Sequence, residues 1–321
     1  VTEVKHFEDR SQIHLPPSGP KCIIIAGPTA SGKTSLSVEL ALALDGEIIN
    51  ADSMQVYRGM DIGTAKPTSE EQRGIPHRLL SVVDPDEEFN AAIYRSMALP
   101  LVHDVVSRQK TCLVTGGTGL YIKSLTRGLF QCPPADFEFR ESLRRECDAG
   151  GPMILHEKLK RVDPESAGRI HPNDKMRIIR ALEIAHLTNR PPSNVIRAHG
   201  FSDTSLNSLK ICLEVDREEL YNRINRRSVA MIESGLAEET ENLLIKGYTP
   251  DLKPLKSIGY RHMVSYLRAE WSLEEAIHNI QRDTRRYAKR QFTWFRADPE
   301  YEWVSPEDPD SILKKVKAFL S

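Results

Sequence analysis

The stretch Ala26-Gly27-Pro28-Thr29-Ala30-Ser31-Gly32-Lys33-Thr34 constrains this chain more than any other. The apolar run Cys22–Ile25 before it has the length and character of a buried parallel strand. Leu36, Leu40, Ala41 and Leu44 after it recur at helical spacing over Ser35–Leu44. Strand, G-x-x-x-x-G-K-T turn and helix together make a phosphate-cradling loop in the context the motif requires. The glycines let the chain bend so that backbone N–H groups point inward. The helix start adds partial positive charge, Lys33 adds a full one, and the Thr34 hydroxyl can reach Mg²⁺ or a phosphate oxygen. A Gly-rich turn that binds nothing is the bland alternative, and this context disfavours it. The loop is expected to hold a di- or triphosphate, but it does not say whose.

With 321 residues, 40% hydrophobic and 28% charged, the composition is that of a soluble globular protein with room for two domains. A formal net charge of -1 gives the whole chain no bias toward nucleic acid or anionic membrane, although a local basic face remains open. Cys22, Cys112, Cys132, Cys147 and Cys212 form no C-x-x-C pair, which favours a reducing compartment over a zinc site or a disulfide framework. No apolar stretch approaches the ~18–20 residues of a membrane span. Residues 1–20 mix acids, bases and prolines and read as a leader rather than a signal peptide. A cytoplasmic protein without membrane partners is the expectation.

Further along, Gly46–Ala51 reads as a second strand that delivers Asp52 to its C-terminal end, beside the phosphate loop. A carboxylate there can orient Mg²⁺, accept a proton from a nucleophile, or merely cap a turn. Residues 59–84 lack periodicity and read as a long functional loop, in which His77 has no paired ligand and is expected to be a hydrogen-bonded loop histidine. A helix over 90–106 is expected to break or restart near Pro100. Thr111–Val114 is a third strand and runs into the glycine-rich turn at 116–119. From Gln131 the alternation stops, and four helices (137–149, 152–162, 164–170 and 174–188) predict an all-helical insertion. Arg140, Lys175, Arg177 and Arg180 there could line a basic face or simply be solvated.

The strand 209–215 returns to the sheet. The following helix carries Arg223 and Arg227 one turn apart, as candidate diphosphate clamps. The last long helix, 273–294, concentrates Arg282, Arg285, Arg286, Lys289, Arg290 and nearby Arg296 among Tyr287, Phe292, Trp294 and Phe295, a pattern suited to phosphate contact and base stacking. The predicted architecture is α/β: a P-loop NTPase/kinase-like core with a mainly parallel sheet, residues 21–130 and 207–321, interrupted by the insertion 131–206.

Seven motifs in register resemble the tRNA dimethylallyltransferase family, also called tRNA isopentenyltransferases. They are GPTASGKT (27–34), DSMQVYR (52–58), DIGTAKP (61–67), GGTGLY (116–121), IHPND (170–174), IGYR (258–261) and KRQFTWFR (289–296). The resemblance runs from about Lys21 to Arg296. It implies transfer of the dimethylallyl group from dimethylallyl diphosphate to N6 of adenine 37 in tRNA. On that reading Gly27, Pro28, Thr29, Ala30, Ser31, Gly32, Lys33 and Thr34 hold the donor's diphosphate rather than ATP, with Mg²⁺ on Thr34. Asp52 matches the general base, and Thr34 and Arg227 help neutralise the departing pyrophosphate.

The family's tRNA contacts would fall on Asp52, Ser53, Met54, Gln55 and Thr118, and in the insertion on Arg140, Met176, Arg177, Ile178, Ile179 and Arg180. Toward the C-terminus they would fall on Lys256, Ser257, Ile258, Gly259, Tyr260 and Arg261, then on Lys289, Arg290, Gln291, Phe292, Thr293, Trp294, Phe295 and Arg296. The insertion would grip the anticodon stem-loop, with Arg140 and Arg180 on phosphates. A monomer suffices on this reading, and the absence of cysteine after Arg296 fits the bacterial type, without the zinc finger of some eukaryotic relatives. Rival readings are an adenylate isopentenyltransferase acting on free AMP, ADP or ATP, a P-loop small-molecule kinase, and a non-enzymatic RNA-binding protein.

Overall fold

The computed structural model describes residues 19–130, 133–200 and 205–321, so most of the leader at 1–20, together with Cys132, lies outside the described residues. The described residues divide into two compact units, 19–126 with 205–321 and 127–200.

The first unit opens with β1 (Lys21–Ala26), α1 (Lys33–Ala43), β2 (Gly46–Asn50), α2 (Ser69–Gln72), β3 (His77–Arg78), α3 (Ala91–Ser107), β4 (Thr111–Gly116) and α4 (Gly119–Arg127). The second unit is all helical: α5 (Phe137–Gly150), α6 (Pro152–Val162), α7 (Pro164–Arg169), α8 (Lys175–Thr188) and α9 (Pro192–His199). The first unit resumes with β5 (Asn207–Leu213), α10 (Arg217–Glu233), α11 (Leu236–Ile245), α12 (Tyr260–Leu267), α13 (Leu273–Arg296), β6 (Tyr301–Val304) and α14 (Pro309–Leu320).

The six strands form one parallel sheet in the order β3-β2-β4-β1-β5-β6. Its apolar strands are buried on both faces, as parallel sheets require. Within β1, Cys22, Ile24 and Ala26 join the larger core while Ile23 and Ile25 face the other side with α1 and α14. The period-two alternation of a strand therefore splits one apolar run between two cores. The carboxyl ends of β1, β2 and β4 converge on the loop at 27–32, on Asp52 and on the turn at 116–118. Crowding enforces this convergence: a Cβ on Gly116 would lie 2.2 Å from the Ala51 carbonyl oxygen.

Three local results differ from the sequence expectation. Helix α3 is continuous through Pro100. Pro100 sits on the exposed side, where water can satisfy the carbonyl it frees, while Tyr94, Ala98, Val102 and Val105 pin the helix to the sheet. β3 lies inside the long 59–84 loop, with His77 Nδ1 bonded to the Ile75 carbonyl oxygen at 2.8 Å. After α13 the chain adds β6 and α14, which the sequence reading did not place. β6 is tied to β5 by its ladder and by buried Lys210, whose ammonium meets Asp298 and Glu300.

Glu47, buried in β2, accepts from Arg108 and Arg78. Hydrogen bonds from Arg108, against the cost of burial and with help from Arg78, pull its carboxyl down to about 2. A depressed folded pKa contributes stability at pH values above the ordinary 4.5, and that contribution is lost as pH falls toward 2. Glu47→Gln should therefore cost about 2 kcal/mol in urea unfolding at neutral pH, since half-exposed arginines limit the gain. The difference from wild type should close at about pH 2–3, and a difference independent of pH would contradict this account.

Candidate active site

The loop between β1 and α1 takes positive φ at Gly27 (150°) and Gly32 (91°), which glycine adopts without penalty, and at Ala30 (66°), where the Cβ makes it unfavourable. It opens α1 without a side-chain cap, so the first helical N–H groups stay available to an anion. Lys33 Nζ donates to the Pro28 carbonyl oxygen at 2.7 Å. Burial pushes its ammonium down to about 8, against the pull of the Asp52 carboxylate and together with repulsion from Arg227. Arg227, from α10, is likewise depressed by burial against the pull of Asp52, and its guanidinium donates to the Thr29 hydroxyl. Two half-buried cations thus converge on the loop, and an anion between them would relieve both.

Asp52 follows β2 and is fixed by its own turn. Its N–H donates to Asn50 Oδ1 at 3.0 Å, and its Oδ1 accepts from the Met54 N–H at 2.8 Å. The Ser53 N–H donates to Thr118 Oγ1 at 3.0 Å, and Tyr287 also contacts that hydroxyl. Gln55 Nε2 donates to the carbonyl oxygens of Thr64 and Ala65. The 61–67 motif is therefore held against the 52–58 motif through backbone groups.

Two cavities open here. The first, of about 520 Å³, is lined by the loop residues Thr29, Ala30, Gly32, Lys33 and Thr34, with Asp52, Gln55, Arg227 and Gln291 among its walls. The second, of about 290 Å³, is lined by Ser53, Met54, Met231, Ser257, Ile258, Gly259, Arg261, Ile280 and Arg290 among others. Thr29, Asp52, Thr64, Arg227 and Tyr287 line both. A ligand on the phosphate loop and a second one entering past Arg261 and Arg290 would meet at those residues.

The structure sorts the expected site residues. Ser31 belongs to the loop, and its hydroxyl is buried without a partner. Arg223 lines neither cavity, and its Nε donates to Glu219 at 2.8 Å. Tyr260 and Phe295 are fully buried, and Gln291 is 5% exposed, in the wall of the first cavity. In the other unit Ile178 and Ile179 lie in its apolar core, which makes them packing positions, whereas Met176 and Arg177 are exposed. Arg140 and Arg180 both donate to the buried carboxylate of Glu183, so the two arginines share one charge and leave a net positive edge.

Lys289, Arg290, Thr293, Trp294 and Arg296 are exposed on α13. Trp294 lies over Gly119, where a Cβ would come within 2.0 Å of the indole Nε1. Arg296 lies beside the stacked rings of Phe292 and Trp303. Lys256 pairs with Asp251 at 3.1 Å. Asp283 takes Arg261 at 2.6 Å together with His262 and Arg282, which fixes Arg261 at the rim.

The sequence reading did not assign Tyr287, which lines both cavities, or Glu239, which supports the motifs around them. Tyr287 stands one helical turn before Gln291 on α13, a spacing that could have revealed it. Glu239 of α11 sits in no motif. Its carboxylate accepts from the N–H groups of Asp61, Ile62 and Gly63 at 2.9, 2.9 and 3.1 Å and from the Tyr260 hydroxyl at 2.6 Å. It joins the 61–67 motif to the 258–261 motif.

A phosphate loop, a carboxylate at the next strand end and two cavities meeting between them define a P-loop-type group-transfer enzyme. The model described as IPP transferase matches residues 55–298. The chain is 50% identical over 307 residues, 96% of its length and 88% of the relative's, to a tRNA dimethylallyltransferase of Syntrophobacter fumaroxidans. It is 52% identical over 302 residues, 94% of its length and 97% of the relative's, to tRNA dimethylallyltransferase 2 of Geotalea uraniireducens. The crystal structure of a full-length tRNA isopentenylpyrophosphate transferase from Bacillus halodurans superposes with a TM-score of 0.70 at 40% identity, covering 94% of this chain and 97% of that one. A eukaryotic dimethylallyltransferase acting on tRNA superposes with a TM-score of 0.77 at 28% identity, covering 94% and 78%. The chain belongs to the IPP transferase family, and its fold is the P-loop NTPase-like fold of those relatives.

Glu239→Ala should lower stability by about 2–3 kcal/mol in urea unfolding, because three loop N–H groups lose a charged acceptor. Amide exchange at residues 61–63 should accelerate more than that in the sheet. Uniform acceleration, or none, would contradict its role as the tie between the two motifs.

Proposed function

We infer that this protein transfers the dimethylallyl group of dimethylallyl diphosphate to the exocyclic N6 of adenine 37 in tRNA, releasing pyrophosphate. One observation carries the reading: the phosphate-loop cavity and the cavity edged by Arg261 and Arg290 share Asp52, Thr29 and Arg227. The donor's diphosphate would sit on the loop. An adenine lifted from its stack in the anticodon loop would enter from the other side. The N6–C1 bond forms as the C1–O bond breaks, the bonding pair leaves with the pyrophosphate oxygen, and the N6 proton passes to Asp52. Lys33, Arg227, Thr34 and the loop amides neutralise the leaving group, which is the main electrostatic task.

Mg²⁺ fits this donor set. Thr34 lines the cavity, while no cluster of three or more metal-ligating side chains occurs among the described residues. Such a site suits an ion held largely by substrate phosphates and water, which would add charge neutralisation at the leaving group. A single chain carries both cavities, so a monomer suffices. No helix among the described residues is long and apolar enough to cross a membrane. We place the reaction in the cytoplasm, where tRNA and reduced cysteines are found. The named relatives support tRNA over free AMP as acceptor, and so do the exposed cations of α13.

Incubation with labelled dimethylallyl diphosphate, Mg²⁺ and either unmodified tRNA or AMP should put label in tRNA alone. Label in AMP, or in neither, would overturn the reading. Asp52→Asn should lower kcat by ~10²–10⁴-fold with donor KM little changed. Lys33 must be charged to meet the diphosphate, and its ammonium sits at about 8 in the free protein. Donor binding therefore takes up a proton above that pH, so donor KM should stay flat below pH 8 and rise up to about tenfold per pH unit above it. A flat profile to about pH 10 would contradict this.

A further inference from the structure

Gln291 lies in the most basic stretch of the chain, between Arg290 and Phe292, yet its side chain faces away from the exposed cations around it. It is 5% exposed, and both ends of its amide are used. Oε1 accepts from the Thr29 N–H at 2.8 Å, and Nε2 donates to the Gly117 carbonyl oxygen at 2.9 Å. Only this amide orientation satisfies both partners, so the assignment of oxygen and nitrogen follows from the network. The fit is close: a Cβ on Gly117 would come within 2.3 Å of Nε2.

The two groups it joins belong to different glycine-rich turns. Thr29 follows Pro28, which has no N–H, so its amide is the first the loop can offer after Gly27. Gln291 holds that amide while Arg227 holds the Thr29 hydroxyl from the other side. The entry to the phosphate loop is thus fixed by two helices, α13 and α10, before any ligand arrives.

We propose that Gln291 is a positioning residue of the donor site, its amide clamping the Thr29 N–H to the Gly117 carbonyl and so setting where the remaining loop amides and Lys33 meet the diphosphate. This rests on the proposed prenyl transfer for its kinetics, but not for its binding test. It differs from the contact with nucleic acid that the KRQFTWFR resemblance implied for this position. The helix then has two jobs: Lys289 and Arg290 face outward to the acceptor side, and Gln291 faces inward to the donor loop.

The test uses Gln291→Met, which keeps the length and volume of the side chain and removes the amide. Gly117→Ala perturbs the same contact from the opposite side. Affinity for inorganic pyrophosphate with Mg²⁺ is measured by calorimetry without tRNA, and tRNA affinity by filter binding without donor. Each variant should weaken pyrophosphate binding, and raise donor KM, by about tenfold while tRNA affinity stays within about twofold. The double variant should be no worse than about the weaker single one, because both remove one contact. Reduced tRNA affinity with unchanged pyrophosphate binding would make Gln291 an acceptor contact and overturn the proposal. Unchanged values for both would overturn it as well. Should wild type bind pyrophosphate but put no label in tRNA, the prenyl-transfer reading fails while the pyrophosphate comparison still decides the role of Gln291.

Discussion

Lys33 and Arg227 lie half-buried at one sheet end, and among the described residues Asp52 is the one carboxylate whose charge acts on both. Such an arrangement costs folding free energy, because desolvated cations without full compensation are unfavourable. The surrounding structure has to hold it in place. The parallel sheet supplies the rigid strand ends, and the packed faces on either side of β1 keep the loop from relaxing outward. A diphosphate seated there, as the proposed reaction requires, would fill that deficit of negative charge.

Around that deficit the site is built from backbone contacts more than from side chains meeting the ligand. Gln291 ties Thr29 to Gly117, Gln55 ties the 52–58 stretch to Thr64 and Ala65, and Glu239 ties residues 61–63 to Tyr260. Several motif residues therefore hold other motifs in place. Glycines at 63, 116, 117 and 119 belong to the same construction, since a Cβ at each would come within 2.5 Å of a neighbouring atom. This division of labour lets Asp52 and Arg227 face both cavities, and Lys33 the first, in a fixed geometry.

The order of the motifs made the fold class and the phosphate loop legible from the residues alone, because a strand, a G-x-x-x-x-G-K-T turn and a helix are local features with local causes. The helices at 137–188 were equally local. What could not be read was which arginines are spent on partners. Arg223 and Arg227 look alike at helical spacing, yet one is held by Glu219 while the other reaches Thr29 198 residues away. Ile178 and Ile179 match a contact motif but fill a core. Burial and long-range pairing decide such cases, and a linear pattern carries neither.

By itself the sequence determined a parallel α/β core with helices at 137–188, a glycine-rich turn between the first strand and helix and a carboxylate after the second strand, because each depends on neighbours within a few residues. Tertiary structure decided the rest. It joined two cavities at Asp52, turned Gln291 inward from a basic helix, and brought Glu239 to a loop some 177 residues earlier in the chain. Those outcomes turn on which faces of α10, α11 and α13 pack together, and that is settled by the whole core rather than by any stretch of it.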